Sequence, residues 1–182
     1  MESKTRTNNT GKVKPLSNAA KGLTDLFEAG LKDIYWAEKE LLKTLQVMVE
    51  NSTSPELNQL IVAHLNETEV QIIRLEKVFE IIGKKAVAKK CDAMQGLISE
   101  SEGILKSTEI GVVRDAGIIV ALQKIEHYEI ATYGTLRQFA TTLGFSNAAD
   151  LLQVTLNEEK NADVHLTLIA VNAINLEAEK ED

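Results

Sequence analysis

The sequence predicts an all-α protein, a four-helix bundle in which two antiparallel helical hairpins are joined by a long crossover containing a short helix. Three observations lead to this fold class. Apolar residues recur with helical spacing from Leu23 almost to the end of the 182 residues. The chain has only 2 prolines, too few for an all-β protein with many turns. Turn-forming residues divide the apolar pattern into two pairs of long segments, separated by a connection too long for a hairpin.

The first hairpin follows a polar N-terminal segment. Residues 1–21 are rich in Lys, Thr, Asn and Ser and lack an apolar period, so we expect a flexible tail. The first helix is expected over about 24–50. Ser54 is then a good N-cap and Pro55 a good first residue for a second helix. Gly83 is expected to end that helix.

The second hairpin follows the crossover. The connection covers about 84–113 and contains one short amphipathic segment. The third long helix is expected over about 112–143, where a glycine ends it, and the fourth over about 146–176. Residues 22–177 should therefore form the bundle, and residues 178–182 a frayed acidic end.

The composition limits the possible functions. A formal net charge of −7 argues against nucleic-acid binding, which requires a basic surface. The single cysteine permits neither an intrachain disulfide nor a zinc–thiolate cluster, and it suits a reducing compartment. The N-terminal segment lacks the apolar stretch of a signal peptide, and no apolar run is long enough to span a bilayer. We therefore expect a cytoplasmic protein that binds neither nucleic acid nor membranes.

Several carboxylates fall on the apolar stripes, where burying an unpaired charge costs several kcal/mol. When the helices are wound at about 100° per residue, Glu38 lies near the centre of the first stripe. Glu129 lies almost at the centre of the third stripe, with Glu126 one turn earlier on its flank. On the fourth helix, Glu159 lies among apolar residues, and Asp163 follows it at i+4.

The second helix has a different set of polar residues. Its stripe carries His64 and Gln71, and Glu67 lies at the edge of the stripe, one turn from both. A lone histidine on such a stripe is more often a hydrogen-bonded core residue than a metal ligand. With Glu67 at i+3, both roles stay open for His64. His127 and His165 lie off their stripes and are expected at the surface.

The polar groups of all four helices fall near the helix middles, which meet at one level in an antiparallel bundle. Four or more carboxylates cannot remain ionised together there without cations, and two metal ions would resolve the conflict. The alternative for each single glutamate is a surface side chain or one paired with Lys or Arg. Agreement among four helices favours the metal site.

The sequence resembles the YciE/YciF family of ferritin-like proteins, which are related in fold to rubrerythrin and the ferritins. The resemblance covers nearly all of the chain after the tail, and its most specific stretches are HLNETE, KKCDAM and KIEHYEIA. It implies a dimeric, stress-associated helical protein with two bound metal ions, iron or manganese. The metal ligands that it implies are Glu38, Glu67, Glu126, Glu129, Glu159 and Asp163, with His64 or Gln71.

The chain departs from the ferritin and rubrerythrin pattern at two positions. Those proteins carry Glu-x-x-His on the second and fourth helices, whereas Val70 and Ala162 occupy the corresponding positions here. A more oxygen-rich site follows, which leaves iron and manganese both open.

Two hypotheses for the function follow from the sequence and the resemblance. The first is an oxidoreductase, either a ferroxidase or a peroxidase, that acts on dioxygen or peroxide at two metal ions. The second is a non-catalytic dimeric stress or scaffold protein with structural metal or none. Fold alone does not distinguish between them.

Overall fold

The computed structural model of the protein describes residues 13–17 and 19–181. Residues 1–12 and 18 of the predicted tail, and residue 182, lie outside the described part. The described part of the tail forms no helix. From there to residue 181 the chain is helical and contains no strand, which confirms the predicted all-α class.

Five helices of four turns or more account for most of the described chain. They are α1 (Leu23–Asn51), α2 (Pro55–Ile81), α3 (Asp92–Ser107), α4 (Val112–Thr142) and α5 (Ser146–Ile169). After α5 the chain continues through a π-helical turn (Ala170–Ile174), α6 (Asn175–Ala178) and a 3-10 turn (Glu179–Glu181). The fourth predicted helix therefore changes its hydrogen-bonding pattern near its end.

The predicted helix signals act as expected. The Ser54 side chain accepts a hydrogen bond from the backbone N–H of Leu57, which caps α2, and Pro55 begins the helix. Gly83 and Gly144 adopt φ values of 67° and 81° directly after α2 and α4. A left-handed residue at this place ends a helix, and glycine adopts that conformation without steric cost.

The four long helices α1, α2, α4 and α5 form the bundle, in which α1 and α5 each pack on both α2 and α4. Packed neighbours run antiparallel. Thr53, just after α1, contacts Asp115 near the start of α4, while Phe27 near the start of α1 stacks on Phe145, just after α4. Likewise Gln71 contacts Glu158 of α5, and α2 and α5 run in opposite directions from there.

The crossover contains α3, which packs mainly on α4 and also touches α1. With 16 residues, α3 is longer than the short segment expected from the apolar pattern. The Cys91 side chain accepts a hydrogen bond from the backbone N–H of Met94 and so caps α3 at its start. Gly117 of α4 permits the close approach, because a Cβ atom there would lie 2.6 Å from Ile104 of α3.

A buried aspartate ties one end of the bundle together. Asp115 is 1% exposed and accepts hydrogen bonds from the backbone N–H of Thr53 at 2.8 Å, the Thr53 hydroxyl at 2.6 Å and the Ser54 N–H at 2.8 Å. These contacts fix the α1–α2 turn against the first turns of α4. Among the described helices, none is long and apolar enough to cross a membrane.

Candidate metal centre

Four glutamates meet in the interior of the bundle. Glu38 of α1, Glu126 and Glu129 of α4, and Glu159 of α5 are each 0% exposed. Glutamate is almost never fully buried unless it is paired, so four such residues at one level require an explanation. Their positions agree with the expectation from the apolar stripes.

Helix α2 contributes polar side chains other than carboxylates to the same region. His64 is 4% exposed, and Thr68 and Gln71 are fully buried. His64 Nε2 lies 3.2 Å from Glu126 Oε1, but the two atoms are not aligned for a hydrogen bond. One ligand atom from each of His64, Glu126, Glu129 and Glu159 lies within 4.8 Å of the others. We call Glu38, His64, Glu126, Glu129 and Glu159 the acidic cluster.

Most oxygen atoms of the acidic cluster lack a hydrogen-bond donor. Buried polar atoms in folded proteins are nearly always paired, because an unpaired one costs about 1–3 kcal/mol. The six buried carboxylate oxygens without a partner are Glu38 Oε2, both of Glu126, both of Glu129 and Glu159 Oε2. Both ring nitrogens of His64 and Gln71 Oε1 are also without one. This set of carboxylate and imidazole donors fits a divalent cation.

The carboxyl groups bind protons unusually tightly when no cation is present. Burial raises the pKa of Glu38, Glu126 and Glu129 well above the ordinary value, and the negative charges of neighbouring cluster members raise it further. Burial also raises the pKa of Glu159, but the nearby His64 and the Gln71 amide oppose the shift. The cluster therefore favours either bound protons or bound cations.

The carboxylate of Glu38 on α1 is held by a donor from α4. The buried phenol of Tyr133 on α4 donates a hydrogen bond to Glu38 Oε1. Burial, together with the charge of Glu38, raises the pKa of Tyr133 well above its ordinary value, so the phenol keeps its proton. Tyr133 thereby fixes the direction of the Glu38 carboxylate.

A second network lies between α2 and α5. Arg74 binds both oxygens of Glu158, with Nη1–Oε2 at 2.7 Å and Nη2–Oε1 at 2.9 Å, and donates to the Thr155 hydroxyl at 2.6 Å. The Gln71 amide nitrogen donates to Glu158 Oε2 at 3.1 Å and also to Glu159 Oε1. This network links a mostly buried ion pair to the acidic cluster.

Two residues expected among the ligands lie outside the cluster. Glu67 is 49% exposed, and its carboxylate approaches His64 Nδ1 only to 3.9 Å. Helical phase explains this exposure, because Glu67 lies about 75° around the helix axis from the centre of the buried face of α2. Asp163 is 22% exposed and lies at the edge, where it contacts His127 Nε2 at 3.2 Å and accepts from Gln123. The charge of Asp163 still reaches the cluster and contributes to the raised pKa of Glu126.

The surface histidines are placed as expected. His127 is 68% exposed, and His165 is also exposed, so neither belongs to the acidic cluster. The apolar pattern of α2 gives no indication of a role for Arg74. Its position one turn after Gln71 was a usable signal, but the pairing with Glu158 depends on how α2 and α5 align, which one sequence does not give.

Comparison with known proteins identifies the family. A family model described as "Domain of unknown function (DUF892)" matches residues 22–179. The chain belongs to the DUF892 family. This family is ferritin-like and includes YciF, so the resemblance noted in the sequence is confirmed.

Similar proteins match this chain over most of their length. Protein YciF of Escherichia coli (strain K12) is 44% identical over 162 residues, which cover 88% of this chain and 98% of that protein. The crystal structure of the E. coli stress protein YciF matches with a TM-score of 0.82 and 45% identity, covering 86% of this chain and 99% of that one. YcfI from Rhodopseudomonas palustris, described as a candidate structural protein, matches with a TM-score of 0.80 and 40% identity, covering 84% of this chain and 97% of that one.

Proposed function

We propose that the acidic cluster holds two metal ions, iron or manganese, and that the protein uses them for oxidase or peroxidase chemistry. The observation that carries this proposal is the set of six buried carboxylate oxygens without a hydrogen-bond partner. Such atoms are tolerated when a cation replaces the missing donors. Four carboxylates carry four negative charges, which two divalent cations would neutralise.

The chain offers a definite set of ligands for these ions. Glu38, Glu126, Glu129 and Glu159 would supply carboxylate oxygens, and His64 would supply a nitrogen. The free oxygen of Gln71 is a further donor. Glu67 is left out because of its exposure, and Asp163 is assigned to the edge of the site, where it adds negative charge.

Two ferrous ions bound in this place would supply one electron each, which suffices to reduce one hydrogen peroxide to two waters with uptake of two protons, leaving two ferric ions. The protein residues would prepare the site for that reaction. Cations entering the site would compete with protons, because burial and neighbouring negative charges raise the pKa of Glu126 and Glu129. Tyr133 orients Glu38, and the surrounding apolar core limits access of water.

Metal analysis followed by a redox assay tests this function. Protein purified without chelators should contain close to two metal ions per chain, and the metal-free chain should take up two ferrous ions without oxygen. Addition of dioxygen or peroxide should then produce ferric iron faster than in a matched solution of free ferrous ions. Binding of two ions with no such acceleration would leave a metal protein without this chemistry.

A second candidate function is a non-catalytic scaffold, and the description of R. palustris YcfI as a candidate structural protein favours it. In that case metal would be structural or absent, and the metal-free protein would be fully folded and functional. Either function is compatible with the homodimer that we also propose. Light scattering on purified protein tests the dimer separately from the metal content.

A further inference from the structure

The orientation of the Gln71 amide is fixed by its neighbours. Both oxygens of Glu158 accept hydrogen bonds from Arg74, so Glu158 offers only acceptors to Gln71. The amide nitrogen must therefore face Glu158 and Glu159, and it contacts both. The amide oxygen points the other way, is buried and has no hydrogen-bond partner.

This orientation matters because α2 contributes no carboxylate to the acidic cluster among the described residues. The free oxygen of Gln71 is a neutral donor beside Glu159, at the level where α1, α4 and α5 each supply a glutamate. A flipped amide would place its two N–H donors where the unpaired oxygen now lies and would turn the oxygen towards Glu158 and Glu159. A flipped amide would therefore remove a ligand and repel a cation.

We propose that Arg74 is a positioning residue for the metal centre, acting through Glu158 to hold the Gln71 oxygen free for a metal ion. Arg74 is suited to this role because its planar guanidinium grips both oxygens of one carboxylate, which fixes direction as well as distance. A third contact, to Thr155 on the preceding turn of α5, holds the guanidinium itself in place. The inference rests on the proposed metal centre and adds a residue that determines its affinity.

Two other roles for Arg74 predict different results. If Arg74 acted only through its positive charge, it would repel cations, and its removal would tighten metal binding. If it only joined α2 to α5, its removal would lower the stability of the metal-free protein and leave the metal affinity of the folded protein unchanged. A positioning role alone predicts weaker metal binding by a protein that is still folded.

The test measures the dissociation constant of Mn²⁺ by titration calorimetry at one pH in the full chain. We expect Arg74→Met to weaken binding at one or both sites by about tenfold or more, the range found for residues that orient metal ligands. Gln71→Leu should weaken it at least as much. The double variant should bind no more weakly than Gln71→Leu, because both changes remove the same oxygen.

A matched control and a second variant that lacks the whole ion pair make the result decisive. Arg114 is also half-buried, and it joins α4 to Asn51 and to the Thr108 carbonyl away from the cluster, so Arg114→Met should leave Mn²⁺ affinity within about twofold. If Arg74→Met does not fold, Arg74→Met with Glu158→Met removes the whole ion pair, which is often neutral for stability, and should show the same weak binding.

Three outcomes would overturn the inference. Unchanged or tighter Mn²⁺ binding by folded Arg74 variants would exclude the positioning role while the proposed metal centre stands. Additive losses in the double variant would show that Arg74 does not act through Gln71. Absence of Mn²⁺ binding in the parent protein would remove the proposed metal centre and this inference together.

Discussion

Tyr133 of α4 donates its phenolic hydrogen to Glu38 of α1, and both side chains are fully buried. Tyr133→Phe would leave one more oxygen of Glu38 without a donor. We expect the free energy of unfolding of the metal-free protein to fall by about 1–3 kcal/mol, measured by urea denaturation.

Tyr35→Phe is the matched control, because Tyr35 donates to Glu76 at 2.8 Å, and Glu76 is exposed. Water can replace that donor, so the loss should be about 0.5–1 kcal/mol. Equal losses of unfolding free energy in Tyr133→Phe and Tyr35→Phe would mean that burial of Glu38 does not increase the stability gained from the Tyr133–Glu38 hydrogen bond.

Glu129 is the most informative residue for separating metal binding from stability. Both of its oxygens are buried without a partner, so Glu129→Gln and Glu129→Leu should leave the metal-free protein as stable as the parent or more so. Both changes should abolish tight binding of at least one metal ion. Manganous ion at a hundred times its dissociation constant should add about 2.7 kcal/mol to the parent's stability and much less to the variants'.

Glu67→Gln provides the control for that experiment. The Glu67 side chain is 49% exposed and lies outside the acidic cluster, so thermal unfolding with and without Mn²⁺ should match the parent. Strong destabilisation of the metal-free protein by both Glu129 variants, with no effect of metal on the parent, would instead make Glu129 a structural hydrogen-bonding residue. The scaffold function would then be favoured.

The stability of the metal-free protein should fall as the pH rises. This is the opposite of ordinary acid unfolding, in which stability falls as the pH is lowered. Burial raises the pKa of Glu38, Glu126 and Glu129 above the ordinary value of 4.5. Below that value these groups are protonated in both the folded and the unfolded chain, so their titration causes no loss of stability there. As the pH rises above it, the unfolded chain releases protons first, so stability falls by about 1.4 kcal/mol per pH unit for each group still protonated in the folded state.

Melting temperatures of chelator-treated protein at several pH values above 4.5 check this dependence. Glu129→Gln removes one of the three groups and should give a shallower decline than the parent. Parallel curves for the two proteins would contradict the assignment of a raised pKa to Glu129. Saturating Mn²⁺ should remove most of the difference, because bound cations favour the deprotonated carboxylates.

Asp115 should be important for stability but not for metal binding. Asp115→Ala removes the acceptor of three hydrogen bonds that hold the α1–α2 turn to α4. We expect the free energy of unfolding to fall by about 2–4 kcal/mol, and Asp115→Asn, which keeps one acceptor oxygen, to lose less. Mn²⁺ affinity of the folded variants should be unchanged, and a parallel loss of affinity would place Asp115 in the metal network.

The helices were predictable because local signals mark them. Ser54 and Pro55 begin α2, and Gly83 and Gly144 end α2 and α4 in the conformation that glycine favours. The buried glutamates were also predictable, since Glu38 and Glu129 lie close to the centres of their apolar stripes and helical phase decides burial there.

The remaining features depend on how helices align with one another. Glu67 was expected at the edge of its stripe, where a small shift of phase separates a buried side chain from an exposed one. The Arg74–Glu158 pair and the contacts of Asp115 join residues far apart in sequence. Helical periodicity describes each helix separately, so it contains no information about such pairs.

The acidic cluster is divided between the two halves of the chain. Glu38 and His64 belong to the first hairpin, whereas Glu126, Glu129 and Glu159 belong to the second. The two halves are joined covalently through the crossover. A cation shared among these side chains would therefore act as a second, removable crosslink between the halves. Residues 84–90 of that crossover form no helix and include four exposed lysines, the residue type after which trypsin cleaves. After a cut there, the supply of metal would influence whether the two pieces remain one molecule.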